Sequence, residues 1–457
     1  CTLAVSIGLL SGCSQGAESD AGRETSAQEE TAGGAAEENT QKEEVVVTMP
    51  ATSEPESGFD PAFGWGAGEH VHEPLIQSTL TVTTQDLQMD KDLATDYSVS
   101  EDGMTWIVTI RDDVKFTDGE PLTARDVAFT YNNCKEKSSV NDFTMLEEAV
   151  AVDDTTVEFH MTKPYSIWPY TMAIVGIVPE HAYDENYGQN PIGSGRYIMT
   201  QWDKGQQVSY EANPDYYGEE PKIKKLTVLF MEKDAALAAA MAGEVDVAHT
   251  AASYSDQSVE GYELFSVQTV DNRGFNLPCS TPQEKDGVTY GNEFTSDVNV
   301  RRAINIGIDR QEMIDNVLNG YGTAAYSVCD KMPWYNPESE VEYDPEEAKK
   351  ILEDAGWKKG TDGIRKKDGV RAEFTLMFSN GDSVRQALAA SSLEESYDLW
   401  QKAQWDGTTG ITQEGDIPWI WLCNIDHLYF VRDGLQIAEQ KIHPHGHGWS
   451  IVNNVDQ

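Results

Sequence analysis

From Glu44 to Ala355 two kinds of pattern alternate along the chain and never settle into a repeat. Val45-Val46-Val47-Thr48-Met49, Trp106-Ile107-Val108-Thr109-Ile110 and Thr156-Val157-Glu158-Phe159-His160 have the β-branched and aromatic content of strands, the last two with alternation. Helical runs lie between them. Ala124 to Tyr131 predicts a short helix opened by Thr123. Asp234 to Ala242 is Ala-rich and closed by Gly243, with a strand predicted over Val245 to Ala248. Val300 to Leu318 carries Ala303, Ile306, Ile308, Met313, Ile314 and Val317 at helical spacing, interrupted around Gly307 and Asp309. Asp344 to Ala355 predicts a helix capped by Asp344, with Pro345 first, acids leading and lysines following. Strands and helices interleaved in this way predict mixed α/β lobes.

The 457 residues suffice for two or three lobes, and a 39% hydrophobic content with 11 Trp and 19 Tyr can fill their cores. Beyond the first few residues no apolar stretch is long enough to cross a bilayer, so a soluble body is expected. Thr2 to Leu10 is a compact apolar run followed by Ser11, Gly12 and Cys13, the pattern of a signal-peptide core and its processing site. Leu10-Ser11-Gly12-Cys13 resembles the lipobox of bacterial lipoproteins, which implies cleavage before Cys13 and a diacylglycerol on its sulfur. Residues 1–12 then read as a partial signal peptide. Residues 14–44, built of Gly, Ala, Ser, Thr, Gln and Glu, read as a disordered tether. The formal net charge of −45 argues against a nucleic-acid partner, whose phosphates need the opposite sign. Of the 6 cysteines, Cys134, Cys279, Cys329 and Cys423 are scattered without C-x-x-C spacing. Neither a zinc ribbon nor a redox motif is supported, and disulfides and free buried thiols both stay open.

The segment Val114-Lys115-Phe116-Thr117-Asp118-Gly119-Glu120-Pro121-Leu122-Thr123-Ala124-Arg125-Asp126-Val127 resembles the signature of extracellular solute-binding family 5, the oligopeptide-, dipeptide- and nickel-binding proteins of ABC importers. Shorter likenesses follow in the family's order: Asn190-Pro191-Ile192-Gly193-Ser194-Gly195, Asn213-Pro214-Asp215-Tyr216-Tyr217-Gly218, Gly243-Glu244-Val245-Asp246, and Val300-Arg301-Arg302-Ala303 with Ile308-Asp309-Arg310. Asp416-Ile417-Pro418-Trp419-Ile420 resembles the late segment. Gly119 and Pro121 make a turn and Thr123 caps a helix, so the signature marks a scaffold without naming a ligand.

The resemblance implies a bilobed, periplasmic-binding-protein-like (Venus flytrap) α/β fold with an inserted subdomain. Lobe I would comprise 45–75, 190–271 and 440–457, the inserted subdomain 76–189, and lobe II 272–439. It also implies that ligand is held in the cleft and that closure around it presents the loaded protein to ABC permease subunits. After Ser383 to Ala389 a family member would add a strand and a W-x-x-D segment that anchors a peptide's amino group. Here Ala390-Ser391-Ser392-Leu393 leads directly into Glu394 to Gln404, so lobe II is expected to be incomplete, with an internal deletion near Ala390.

His443, His445 and His447 form the richest local cluster. Alternate spacing puts three imidazoles on one side of an extended segment, where they suit Ni²⁺, Cu²⁺ or Zn²⁺; equally, a Gly/Pro-shaped loop can use them as hydrogen-bonding groups. His70 and His72 lie in an early loop that, by family analogy, lines the cleft. Trp65, Tyr254 and Trp334 lie in loops where family members place cleft aromatics, with ordinary packing as the alternative. Arg273, at the expected crossover between lobes, suits either a ligand carboxylate or a structural ion pair. Trp419 and Trp421 are expected in the core. The expected function is solute capture for an ABC importer at the outside of the cell membrane. The ligand would be a short peptide or chelated nickel; no cofactor is expected, and Ni²⁺ would be cargo. A secreted metal-dependent hydrolase would need H-E-x-x-H, G-x-S-x-G or a Ser/His/Asp set, and none is present in the sequence, so no catalytic residue is assigned. A sensor or adhesin on the same scaffold is a further alternative.

Overall fold

The computed structural model describes residues 42–63, 75–84, 88–138, 141–327, 330, 340–374, 376, 419–438, 451, 452 and 455. Strand β1 (Glu44–Met49) is followed by a small ribbon of β2 (Thr81–Thr83) and β3 (Met89–Lys91), then by β4 (Ala94–Val99) and β5 (Thr105–Ile110). Helix α1 (Ala124–Lys137), β6 (Leu146–Ala151), β7 (Thr156–Met161) and α2 (Trp168–Met172) complete a compact region whose sheet runs β4-β5-β7-β6. The alternation read in β5 and β7 sends Trp106, Val108, Ile110, Val157 and Phe159 inward, against Val127, Tyr131 and Cys134 of α1. α1 begins where expected, with the Thr123 amide donating to Asp126 Oδ2 at 2.9 Å. It runs six residues past Tyr131 because tertiary contacts carry it. The Asn132 amide is locked to the backbone of Ala149 by two hydrogen bonds of 2.8 and 2.9 Å, and Cys134 is buried.

The chain then supplies β8 (Tyr197–Asp203), β9 (Gln207–Ala212), β10 (Lys225–Phe230), α3 (Lys233–Met241), β11 (Val247–Thr250) and β12 (Tyr262–Val267). After β12 come β13 (Asn272–Asn276), a hairpin of β14 (Gln283–Lys285) and β15 (Val288–Tyr290), α4 (Val298–Gly307), α5 (Arg310–Val317) and β16 (Gly322–Ala324). Next are α6 (Pro345–Asp354) and a ribbon of β17 (Lys358–Lys359), β18 (Arg365–Lys367) and β19 (Val370–Arg371), and finally β20 (Trp419–Ile425) and β21 (His427–Arg432). The break expected near Gly307 and Asp309 separates α4 from α5, and Asp309 caps α5 by accepting from the Glu312 amide. Asp344 caps α6 through the amides of Glu346 and Glu347.

Two further sheets organise the rest. A seven-stranded sheet runs β12-β21-β11-β1-β10-β9-β8, with β1 central and parallel to both β10 and β11. Its two faces are both covered: Val45, Val47 and Met49 join one core, while Val46 packs against the other, built on α3. That is why β1 reads as a run of valines without alternation. A three-stranded sheet, β13-β20-β16, packs against α4, α5 and α6. The strand that returns to the large sheet is β21, earlier than the expected 440–457, so the boundary placed at 439 is corrected to Asp426. The whole run from Trp419 to Val431 reads as one extended stretch because the switch of sheets uses a single residue and no Gly or Pro. Of the C-terminal residues, Ile451, Val452 and Val455 are buried in the large sheet's core.

One buried carboxylate ties this sheet together. Asp246, 1% exposed, accepts from Lys42 Nζ at 2.7 and 2.9 Å, from the Val46 amide at 3.0 Å and from Arg432 Nε at 2.6 Å. It lies in the Gly243-Glu244-Val245-Asp246 motif, and these contacts, with the Arg432 amide on its carbonyl at 2.8 Å, hold the entry to β11.

Candidate functional site

Among the described residues the chain passes between the two sheets twice. It leaves the large sheet after β12 and enters the small one at β13; it returns from β20 to β21 through Asp426 alone. The two passages lie side by side: the Ile425 amide donates to Asp271 O at 3.0 Å and Thr269 Oγ1 donates to Ile425 O at 2.7 Å. Polar side chains collect there. The Asp271 carboxylate takes both terminal nitrogens of Arg273, with Nη2 to Oδ2 at 3.1 Å, and faces His427 Nε2 at 3.5 Å. Ser266 Oγ donates to Asp426 Oδ2 at 3.2 Å. Burial works to raise the Asp271 pKa, but the His427 ring and the Arg273 guanidinium outweigh it and hold it at about 2.

Arg273 therefore stands at the crossover, as its position in the sequence indicated, and its fork is engaged by Asp271 and by the Asn272 carbonyl at 3.0 Å. Of the two roles weighed for it, the ion pair is the one formed here. Tyr254 ends a short turn, Ala252–Tyr254, that follows β11. That turn is tied across to the end of α5, where Asn319 Nδ2 donates to Ala252 O at 2.8 Å and approaches Ser255 Oγ at 3.3 Å. Asn319 adopts a positive φ of 50°, and Gly320 follows at 84°, a left-handed pair that Asn-Gly favours. Trp65, Trp334, His70, His72, His443, His445, His447 and Cys13, together with the expected deletion near Ala390, lie outside the described residues. Among the described residues no group of three His, Cys, Asp or Glu side chains is arranged to hold a metal ion, and Cys134, Cys279 and Cys423 are free thiols. Burial pushes the Cys423 thiol up to about 12, so it is protonated at neutral pH.

Trp419 and Trp421 correct the expectation of core residues. Both are only half-buried and stand outside the core that Ile420, Leu422 and Cys423 of the same strand join. Both alternate with Ile420 and Leu422, which take the core face; a bulge then steps the register from Gly274 opposite Trp421 to Arg273 opposite Cys423, so Leu422 is the extra residue and Cys423 joins the core face as well. The side chains that sequence reasoning missed are Asp271, Asp426 and His427. Single polar residues flanking strands give no periodic signal, and only the two passages' adjacency brings them together.

The family model for bacterial extracellular solute-binding proteins, family 5 (middle), matches residues 88–396. Protein XP55 of Streptomyces lividans is 34% identical over 368 residues, covering 76% of this chain and 64% of the relative. The oligopeptide-binding protein AppA of Bacillus subtilis is 28% identical over 344 residues, covering 71% and 62%. The chain thus spans somewhat less than two thirds of the length of these relatives. Among solved structures, NikZ of Campylobacter jejuni in complex with Ni(L-His) superposes with a TM-score of 0.74 at 22% identity, covering 91% of this chain and 99% of that one, a likeness of fold. The described sheets, mixed α/β and joined by two crossings, agree with it, and no described helix is long and apolar enough to cross a membrane. On the match of the family model over more than half of its length, the chain belongs to the bacterial extracellular solute-binding proteins, family 5.

Proposed function

We propose that this chain is the solute-capturing component of an ABC importer and acts outside the cell membrane without catalysing a reaction. The observation that carries the proposal is the double crossing. Among the described residues the backbone crosses between the two sheets at residues 268–271 and at Asp426, side by side, and a narrow double crossing of this kind is a place about which two lobes can turn, which is what capture by closure requires. Family membership supports it, and similar proteins bracket the solute: an oligopeptide-binding protein on one side and a protein in complex with Ni(L-His) on the other. The solute is accordingly a short peptide or a nickel chelate, handed to permease subunits. His443, His445, His447, His70 and His72 are the residues that would favour the metal, and Trp65, Tyr254 and Trp334 the aromatics that would pack a peptide. Acylation of Cys13, with residues 14–44 as tether, would keep the body at the membrane surface.

The test is the thermal melt of the full chain alone, with a mixture of short peptides, and with Ni²⁺ plus histidine. Only native-state binding raises stability, by about 2.7 kcal/mol at a hundredfold excess over Kd. A melting temperature raised by one ligand class is expected and names that class. No rise with either would sink the proposal.

A further inference from the structure

The two passages between the sheets are tied to each other at several points, and the ties are not alike. Ile425 ends β20 and Asp271 leads straight into β13, so the Ile425 amide on Asp271 O, at 3.0 Å, joins two residues on the small sheet's side. Thr269 Oγ1, which donates to Ile425 O at 2.7 Å and accepts from the Asp271 amide at 2.9 Å, binds to that same side. Turning one sheet against the other leaves these bonds as they are. The contact between Asp271 Oδ2 and His427 Nε2, at 3.5 Å, differs. His427 opens β21 and moves with the large sheet, while Asp271 moves with the small one. The length of this contact therefore depends on the angle between the sheets.

The same contact joins a fixed charge to a variable one. The carboxylate is the fixed partner: Arg273 takes both of its oxygens, and Asp271, held at about 2, stays ionised at every pH above about 4. Imidazole is the side chain whose charge ordinarily changes between about pH 5 and 8. Among the described residues, Asp271 and Arg273 face His427 from the first passage, and Asp426 precedes it in the second. On the neighbouring β11 lies His249, 7% exposed and set against the Tyr429 ring. Burial pushes the His249 pKa well below its ordinary value, and Lys233 of α3 and His427 add to the effect, so His249 is neutral through this range. Asp271 Oδ2 serves both the Arg273 Nη2, at 3.1 Å, and the His427 ring, so a protonated ring is drawn to an oxygen that stands between two cations. That attraction is present below the titration of the imidazole and is lost as pH rises through it.

We propose that His427 is a positioning residue of the crossing: protonated, it is drawn to Asp271 and holds the two sheets at the angle seen here, and neutral, it releases them to turn. This rests on the solute-capture reading and adds a condition to it. Closure about the crossing is freer at alkaline than at acid pH, and the pH at which it loosens is set by one imidazole outside the set of residues that would touch the solute.

The experiment is hydrogen exchange read by mass spectrometry on the full chain, for the wild type, His427→Gln and His427→Lys, at pH 5.5 and at pH 8. Gln is never charged and Lys is charged at both, and comparing the three proteins at one pH cancels the chemical dependence of exchange on pH. Peptides from residues 94–161 report that each variant is folded. In peptides covering 262–276 and 419–430, the wild type should match His427→Lys at pH 5.5 and His427→Gln at pH 8. Between the two variants, Gln should exchange faster by about threefold or more, the size expected of one partly exposed ion pair. A wild type that follows the same variant at both pH values overturns the proposal, as do three proteins that exchange alike. Titration of the same proteins with trialanine and with Ni²⁺ plus histidine separates this inference from the reading beneath it. A dissociation constant that passes from the Lys variant's value to the Gln variant's as pH rises supports both, and one that is equal in all three proteins at both pH values overturns the inference. The expected exchange pattern with neither probe bound upholds the role of His427 and sinks the solute-capture reading.

Discussion

Replacing Asp271 with Asn tests the crossing at its most charged point. The substitution keeps the volume and removes the charge that Arg273 and His427 share. Asp271 has a folded-state pKa of about 2 against an ordinary 3.8, and the side chain is 23% exposed. A shift of that size corresponds to about 2.5 kcal/mol of native-state stabilisation at neutral pH. Because the folded pKa is depressed, the contribution is complete above the unfolded pKa and is lost as pH falls through the folded one. About half should remain at pH 3. Asp60 and Asp92, whose pKa values burial raises, work in the opposite sense, so the quantity to follow is the difference between wild type and variant. Urea unfolding read by tryptophan fluorescence at pH 7 and at pH 3 gives that difference. It should be about 2–3 kcal/mol at pH 7 and roughly halve at pH 3. A cost below about 0.5 kcal/mol at pH 7, or an equal cost at both, would refute the claim that the ionised carboxylate organises the crossing.

Two substitutions probe the lobe around the three-stranded sheet. Asp297→Ala removes the cap of α4, which also accepts from Trp357 Nε1 at 3.0 Å and Lys367 Nζ at 2.6 Å; a loss of about 2–3 kcal/mol in chemical unfolding is expected, well above the ~1 kcal/mol of a cap alone. Gly274→Ala sets a Cβ 2.1 Å from the Ile420 carbonyl oxygen and 2.3 Å from the Trp419 indole nitrogen, so the bulge must shift; circular dichroism should show a protein destabilised by more than about 2 kcal/mol, and a wild-type melt would mean the bulge is not as described.

Much of the scaffold could be read from residue pattern. Thr123, Asp309 and Asp344 stood before apolar periodic runs and all three mark helix starts, because capping is a local interaction between neighbours in sequence. What escaped was set by distant strands. The switch of sheets at Asp426 has no turn residue to announce it, since both strands keep an extended backbone through it. The faces of Trp419 and Trp421 were misjudged because all of Trp419 to Cys423 is apolar, and which alternating set meets α4, α5 and α6 is decided by packing that β20 alone does not show. Of the candidate site, Arg273 could be placed at the crossing by its order in the chain, whereas Tyr254 was expected only by family analogy, as an aromatic lining the cleft. The charge that fixes Arg273 came from Asp271, a neighbour whose role depends on His427 more than a hundred residues away.

The clasp at Asp246 has a mechanical consequence. Tension applied through the residues that precede Lys42 reaches the body at that carboxylate, which is also bonded to Arg432 at the end of β21. β1 continues from this point as the central strand, paired along its whole length with β10. A pull along β1 thus loads its row of hydrogen bonds together, in shear, and cannot open them one at a time from an edge. The lobe thus resists being drawn apart from this end.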